Sequence, residues 1–197
     1  SPKSYTAVEL DREAAADLDA KLGGPNREIV VGNAGNTDLE DAVADVVYGE
    51  AMLSMQPDDA KAEIVGEASR LLRPGGLYGI HELGLTPTTI EEAKKDRIHE
   101  DLAEVLKVNA RPLTASEWIE ILESAGFEVV WSTEAPMALL QPRRIIADEG
   151  LLGALRIGYN VLTMPPARRR IRSMRSVFGR YEDDLNAITI VARTVDS

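Results

Sequence analysis

Polar side chains stand where several apolar segments of this sequence end. Glu50 follows the run DVVYG, and His81-Glu82 fall at the end of the run LYGI. Carboxylates and imidazoles in such positions can take a proton from a reacting group. Glu50, His81 and Glu82 are therefore the candidate catalytic residues, and each also has an ordinary structural explanation. Glu50 can cap the next turn or be solvated, and His81 and Glu82 can be satisfied, partly buried side chains.

Two further polar positions are suited to binding a ligand. Glu9 ends the apolar segment YTAVE, where a carboxylate is costly unless it is solvated or paired. Asn33 lies in the loop GNAGN after EIVV, and its side-chain carbonyl can accept a hydrogen bond. The same loop is rich in turn-forming residues, so Asn33 is equally well explained as a turn residue.

Alternating apolar runs and helical patterns would position these side chains. The predicted strands are 5–10, 28–31, 45–48, 77–83, 127–132 and 187–193; the predicted helices are 12–22, 58–72, 89–108 and a helix starting at 114. Asp11 is the expected N-cap of the first helix, and Thr114 with Glu117 forms a capping box. Uninterrupted Val/Ile strands between helices indicate a mainly parallel sheet covered on both faces. The carboxyl ends of such strands meet at one crevice, where ligands bind.

Composition excludes several classes of function. The 197 residues contain no cysteine and only two histidines, so we expect no metal centre. The net charge of −11 argues against a nucleic-acid partner. No apolar segment reaches the roughly 18 residues that a membrane span needs, and no signal peptide is evident, so we expect no membrane association and a cytoplasmic location.

The order VELD, GNA, ADVVYGEAMLSM and LLRPGGLYGIHEL resembles the later motifs of class I S-adenosylmethionine-dependent methyltransferases over roughly residues 5–133. The resemblance implies an α/β, Rossmann-like three-layer sandwich with a mostly parallel sheet and an antiparallel C-terminal strand. It implies S-adenosylmethionine as cofactor and methyl transfer to a small-molecule substrate by in-line displacement. Catalysis then depends mainly on proximity, orientation and excluded water, and a general base is optional.

The resemblance also implies cofactor-binding residues. Glu9 matches the acid that holds both ribose hydroxyls, and Leu10 would pack against the adenine. Asn33 and Ala34 stand where the family commonly has Asp-Ala, whose acid reaches the adenine amino group. Glu50 follows the family's fourth strand, near both cofactor and substrate.

The family's first strand and its glycine-rich loop do not occur in this sequence. Only eight residues precede Glu9, and no GxGxG or GxGxxG is present. The backbone of that loop approaches the cofactor closely, which requires glycine. We therefore expect one methyltransferase-like domain, residues 1–197, that is truncated at its N-terminus and whose sheet lacks its first strand.

A helical insertion is predicted over residues 134–186, before the last strand. Six arginines and no acid occur between residues 167 and 180, where a core-facing apolar stripe underlies the arginines. Such an insertion can cover the crevice, with Tyr159 or Met164 lining the pocket, and the apolar helix 151–162 can bury a homodimer interface.

Two other functions remain open at this point. Without the glycine-rich loop, the chain could be a non-catalytic interaction module on a methyltransferase scaffold. The sequence Asn33-Ala34-Gly35 also resembles the NAG motif of short-chain nicotinamide-dependent reductases. Those enzymes need a Tyr-x-x-x-Lys pair, and none of the five tyrosines has a lysine four residues later.

Overall fold

The computed structural model describes residues 2–137 and 165–195, apart from the side chains of residues 165–167. Helices and strands alternate through most of this length, as the apolar pattern predicts. The elements in chain order are β1 (Tyr5–Glu9), α1 (Arg12–Leu22), β2 (Arg27–Val31), β3 (Ala44–Glu50), a 3-10 helix (Leu53–Met55), α2 (Asp58–Leu71), β4 (Leu72–Leu85), α3 (Glu92–Leu106), β5 (Leu113–Thr114), α4 (Ala115–Ser124), β6 (Phe127–Pro136), α5 (Pro165–Arg180) and β7 (Leu185–Thr194).

The described strands form two separate sheets. β1 and β2 pair in parallel as a two-stranded sheet, while the larger sheet has the order β3-β4-β7-β6 with β5 beside β4. β3 and β5 run parallel to β4, whereas β7 runs antiparallel to both β4 and β6. The predicted Rossmann-like fold with an antiparallel C-terminal strand is confirmed.

The break between the sheets lies between β1 and β3. Neither strand has a backbone partner on that side within the described residues. The Tyr5 and Tyr48 hydroxyls reach across it to a separation of 3.2 Å, and this hydrogen bond raises the pKa of Tyr5. Val46 and Tyr48 on β3 are 59% and 63% exposed. Among the described residues, an open slot therefore lies between β1 and β3.

Local capping signals place two helices as predicted. The Asp11 carboxylate accepts the Ala14 N–H at 2.8 Å and begins α1. Thr114 and Glu117 form the reciprocal capping box that begins α4. Gly126, at φ +84°, follows the end of that helix and leads into β6. Each cap satisfies backbone N–H groups that a helix start leaves without partners.

Most strands are longer than the apolar runs predict, and β4, β6 and β7 show why. β4 begins at Leu72, which pairs with Ala44, and residues 73–76 bulge out before Leu77 resumes the pairing with Val46. β6 and β7 extend to Pro136 and back to Leu185 because they pair with each other in antiparallel register. The chain between these two strands is therefore 137–184, three residues shorter at its start and two at its end than the predicted insertion.

Two apolar clusters form the core. The first lies between the larger sheet and helices α2 and α4, and includes Tyr78, Ile80, Trp118 and Ile190. The second joins Leu83 and Leu85, at the carboxyl end of β4, to α3 and α5. Helices α3 and α5 therefore pack at the edge of the sheet where the predicted site residues stand.

None of the described helices is long and apolar enough to cross a membrane. The pocket-lining roles predicted for Tyr159 and Met164, and the dimer-forming helix 151–162, lie outside the described residues.

Candidate functional site

The ends of β1 and β2 bring the predicted cofactor residues together. Glu9 and Val31 are in register, and the Gly32 N–H donates to the Glu9 carbonyl at 3.0 Å. Glu9 Oε1 accepts the Asp11 N–H at 3.0 Å. This bond fixes the carboxylate beside the start of α1, and Oε2 has no hydrogen-bond partner within the described residues. Leu10, directly after Glu9, is 73% exposed and presents an apolar surface.

Asn33 adopts the geometry of a turn residue. Its Oδ1 accepts the Gly35 N–H at 2.9 Å, and its backbone carbonyl accepts the Asn36 N–H at 2.9 Å. The side-chain amide N–H groups remain as donors toward solvent. Ala34 packs against the main apolar cluster, which holds this loop against the larger sheet's helices.

A buried carboxylate, Glu67, which the sequence did not lead us to expect, anchors the same loop to α2. The Glu67 carboxylate accepts the Thr37 N–H at 2.8 Å and the Thr37 hydroxyl at 2.5 Å, and pairs with Arg70 at 2.7 Å. The bond from Arg70 and those from Thr37 lower the pKa of Glu67 to about 2. Glu67 lies next to the apolar stripe of α2, and an acid at that position is the sequence feature from which its burial could have been predicted. This anchor ties the small sheet's ligand loop to the larger sheet.

The second group of candidates lies at the end of β3 and β4. Glu50 is in register with His81, and Glu50 Oε1 lies 3.5 Å from His81 Nδ1. Both side chains are accessible, at 73% and 48% exposure. The His81 carbonyl accepts the Ala51 N–H at 2.8 Å, which helps to hold Ala51 at φ +50°. The pair is fixed by strand register and is open to a substrate.

Glu82 points to the opposite face of β4 and is buried, at 2% exposure. Its carboxylate accepts the backbone N–H groups of Met52, Leu53 and Ser54 at 2.9–3.1 Å. The Ser54 hydroxyl donates a fourth hydrogen bond at 2.6 Å. Taking a proton from a substrate would disrupt these four bonds, so the geometry gives Glu82 a positioning role for the segment that follows Glu50.

The structure thus brings the seven predicted site residues into two groups rather than one. The first group comprises Glu9, Leu10, Asn33 and Ala34; the second comprises Glu50, His81 and Glu82. The slot between β1 and β3 separates them. Helix α2 bonds to the loop of the first group through Glu67 and packs against β3 and β4, which carry the second group. The first group offers a carboxylate, amide donors and an apolar surface at the ends of two paired strands.

A charged groove of about 460 Å³ lies between α2, α3 and α4, and none of the seven predicted residues lines it. Its charges are largely paired within the protein, as in Lys95 with Glu117 and Lys61 with Asp58. Burial lowers the pKa of His99 in its wall. Among the described residues, no group of three or more His, Cys, Asp or Glu side chains is placed to hold a metal ion.

Known proteins similar to this chain share this architecture. Residues 1–80 match the family described as a methyltransferase domain. An uncharacterised protein of Haemophilus influenzae is 32% identical over 190 residues, covering 94% of this chain and 73% of that protein. A Mycolicibacterium smegmatis protein named "Probable S-adenosylmethionine-dependent methyltransferase" is 32% identical over 124 residues, 62% of this chain and 43% of its own length.

Solved structures agree with the fold. Haemonchus contortus phosphoethanolamine N-methyltransferase 2, in complex with phosphomonomethylethanolamine and S-adenosylhomocysteine, superposes with a TM-score of 0.68 at 15% identity. The match covers 97% of this chain and 43% of that enzyme. The order of the motifs, the strand order and these relatives together lead to one conclusion: this chain belongs to the class I S-adenosylmethionine-dependent methyltransferase family.

Proposed function

We propose that the protein transfers a methyl group from S-adenosylmethionine to a small-molecule acceptor, with Glu9 holding the cofactor's ribose. The observation that supports this most directly is the geometry at the ends of β1 and β2. One oxygen of the Glu9 carboxylate is fixed by the Asp11 N–H, which leaves Oε2 for a ligand hydroxyl. Leu10 would cover the adenine, and the Asn33 amide N–H groups would donate to its ring nitrogens, since Asn33 Oδ1 is already engaged by Gly35.

The bound cofactor would supply an electrophilic methyl group on its sulfonium. The protein's own contribution would be to orient the acceptor, exclude water and remove a proton where the acceptor carries one. His81 is the preferred base. A proton on Nδ1, facing the Glu50 carboxylate, leaves Nε2 free to accept a proton from the substrate. Glu82 would not contact the substrate; its hydrogen bonds would hold residues 52–54 in place beside Glu50.

A small acceptor is favoured by two observations. The chain is strongly acidic, with 33 acidic against 22 basic residues, so a nucleic-acid acceptor would be repelled. The Haemonchus contortus enzyme, which has a similar fold, holds a small phosphorylated amine in its crystal structure.

The proposal is tested first by titrating the 197-residue chain with S-adenosylhomocysteine in a calorimeter. The unaltered chain should bind saturably, and Glu9→Gln should weaken binding by about 10- to 100-fold, the equivalent of one or two charge-assisted hydrogen bonds. Glu28→Gln is the matched control, because Glu28 is an exposed carboxylate on the neighbouring strand β2, opposite Thr6. That variant should bind like the unaltered chain.

Equal binding by Glu9→Gln and the unaltered chain would remove Glu9 from the ribose site. Absence of saturable binding by the unaltered chain would contradict cofactor binding by these residues and support a non-catalytic interaction module. Where binding is found, S-adenosylhomocysteine release should be followed in the presence of a fractionated small-molecule extract. His81→Asn should lower the rate and leave the cofactor affinity unchanged.

A further inference from the structure

Helix α5 carries a charge pattern unlike the rest of the chain. Its 16 residues include six arginines and no acid. The whole chain has a net charge of −11, so the residues outside these six arginines carry −17. Six of the 22 basic residues therefore lie on one helix that carries no compensating acid.

The fold itself uses two of the six arginines. Arg180 pairs with Asp101 at 2.6 Å, and the Arg170 guanidinium donates to the Leu106 carbonyl at 3.4 Å. The side chains of the other four are exposed, and within residues 2–137 and 165–195 no carboxylate lies at ion-pair distance from them. We call Arg168, Arg172 and Arg175, which share one side of the helix, the arginine face.

Helical spacing places the arginine face on one side of α5. Positions i, i+4 and i+7 lie in a row, which spans roughly 10 Å along the axis at 1.5 Å per residue. On another side of the helix Val177 is buried and Phe178 packs in the cluster shared with α3. This packing fixes the rotation of α5, so the three guanidinium groups stay directed away from the core.

The arginine face is unfavourable for the helix that carries it. Like charges at i, i+3 and i, i+4 destabilise a helix, and Arg168 lies in the first turn, at the positive end of the helix dipole. The chain has 33 acidic residues, yet none is placed on this helix to relieve the repulsion. The arginine face thus opposes helix stability without an evident benefit to the fold, and this indicates a binding role.

We propose that the arginine face binds a phosphate-type anionic group of the methyl acceptor; this inference rests on the proposed function. Guanidinium groups bind phosphate through paired hydrogen bonds and cannot lose their charge. Helix α5 leads into β7, whose start pairs with the carboxyl end of β4, and Val177 shares its apolar cluster with Leu83 and Leu85. The face thus belongs to a helix at the ligand edge of the sheet.

Two other anionic partners are less compatible with the structure. A membrane-bound helix would bury its apolar side in lipid, but Val177 and Phe178 are occupied by packing inside the protein. A nucleic acid would be repelled by the −17 charge of the surrounding chain. A soluble acceptor bearing a phosphate group avoids both conflicts.

The test measures binding of inorganic pyrophosphate to the 197-residue chain by calorimetry, at low and at moderate salt. The triple substitution Arg168→Gln, Arg172→Gln and Arg175→Gln should weaken binding by at least about tenfold. The control carries Arg12→Gln, Lys21→Gln and Lys107→Gln, three exposed cations outside α5, so its net charge changes equally. Its affinity should stay within about twofold of the unaltered chain.

A second readout separates binding from a structural role. Removing the repulsion should leave the thermal midpoint of the triple variant equal to or above that of the unaltered chain. Three results would each overturn the inference. They are an equal loss of pyrophosphate affinity in both variants, the absence of saturable binding, and tighter binding to vesicles of anionic phospholipid than to pyrophosphate.

S-adenosylhomocysteine affinity, measured on the same samples, should not change in the triple variant. If the unaltered chain does not bind S-adenosylhomocysteine, that result counts against the proposed function and not against anion binding by the arginine face.

Discussion

At the scale of single residues, three carboxylates differ because their surroundings differ. Glu50 ends β3 and is exposed beside its register partner His81, whereas Glu82, the next residue of β4, points to the opposite face and is buried among four donors. Glu67 is likewise buried, where Thr37 and Arg70 satisfy it. Residue type and position therefore identify candidates, and only the donors around each carboxylate show whether it is open to a ligand or engaged inside the protein.

The buried carboxylate of Glu67 should make the stability of the protein depend on pH. Its folded pKa of about 2 lies below the ordinary 4.5, so its stabilising effect is fully present above pH 4.5 and is lost as the pH falls toward 2. The shift corresponds to up to about 3 kcal/mol. Glu67→Gln should be less stable than the unaltered chain by about that amount at pH 7, and the two should converge near pH 2 in urea denaturation. Glu63→Gln, an exposed acid on the same helix, is the control, and a constant difference at all pH values would contradict this account.

At the scale of elements, the capping signals predicted helix starts well, and strand ends were predicted less well. Asp11 and the Thr114–Glu117 box act through adjacent residues, so a local sequence specifies them. The start of β4 at Leu72 and the far end of β6 depend on partners distant in sequence, and no local pattern carries that information. The hydrogen-bond networks around Glu67 and Glu82 were not predicted for the same reason.

Two glycines show how element context decides the effect of one substitution. Gly84 on β4 faces Asn186 on β7, whose buried side chain donates to Glu134 and would overlap a Cβ at Gly84. Gly84→Ala should destabilise the protein by about 1–3 kcal/mol. Gly66, inside α2, has open space around its Cα. Gly66→Ala should stabilise the protein by about 0.5–1 kcal/mol, because alanine is the better helix former. Equilibrium urea denaturation distinguishes the two, and equal effects of both substitutions would refute the argument.

At the scale of the whole molecule, the sequence predicted the family fold, and the described strands divide that fold into two sheets. The order β2-β1, then the slot, then β3-β4-β7-β6 leaves two strand edges facing each other without backbone pairing in the described chain. The sequence alone does not show how the two sheets are held together. The hydrogen bonds from Thr37 to Glu67 and the packing of Ala34 provide that connection, and both arise from tertiary contacts.

The open slot should make the 197-residue chain associate with itself, because unpaired strand edges with exposed apolar side chains pair with other chains. Val46 lies on the open edge of β3 and is 59% exposed, so Val46→Lys should raise the concentration needed for association on the order of tenfold, as measured by sedimentation velocity. Val195→Lys makes the same chemical change at a 52% exposed position after β7, outside the slot, and should associate like the unaltered chain. If both lysine variants suppressed association equally, net charge rather than the edge of β3 would control it. A chain that stayed monomeric at every concentration would contradict this prediction.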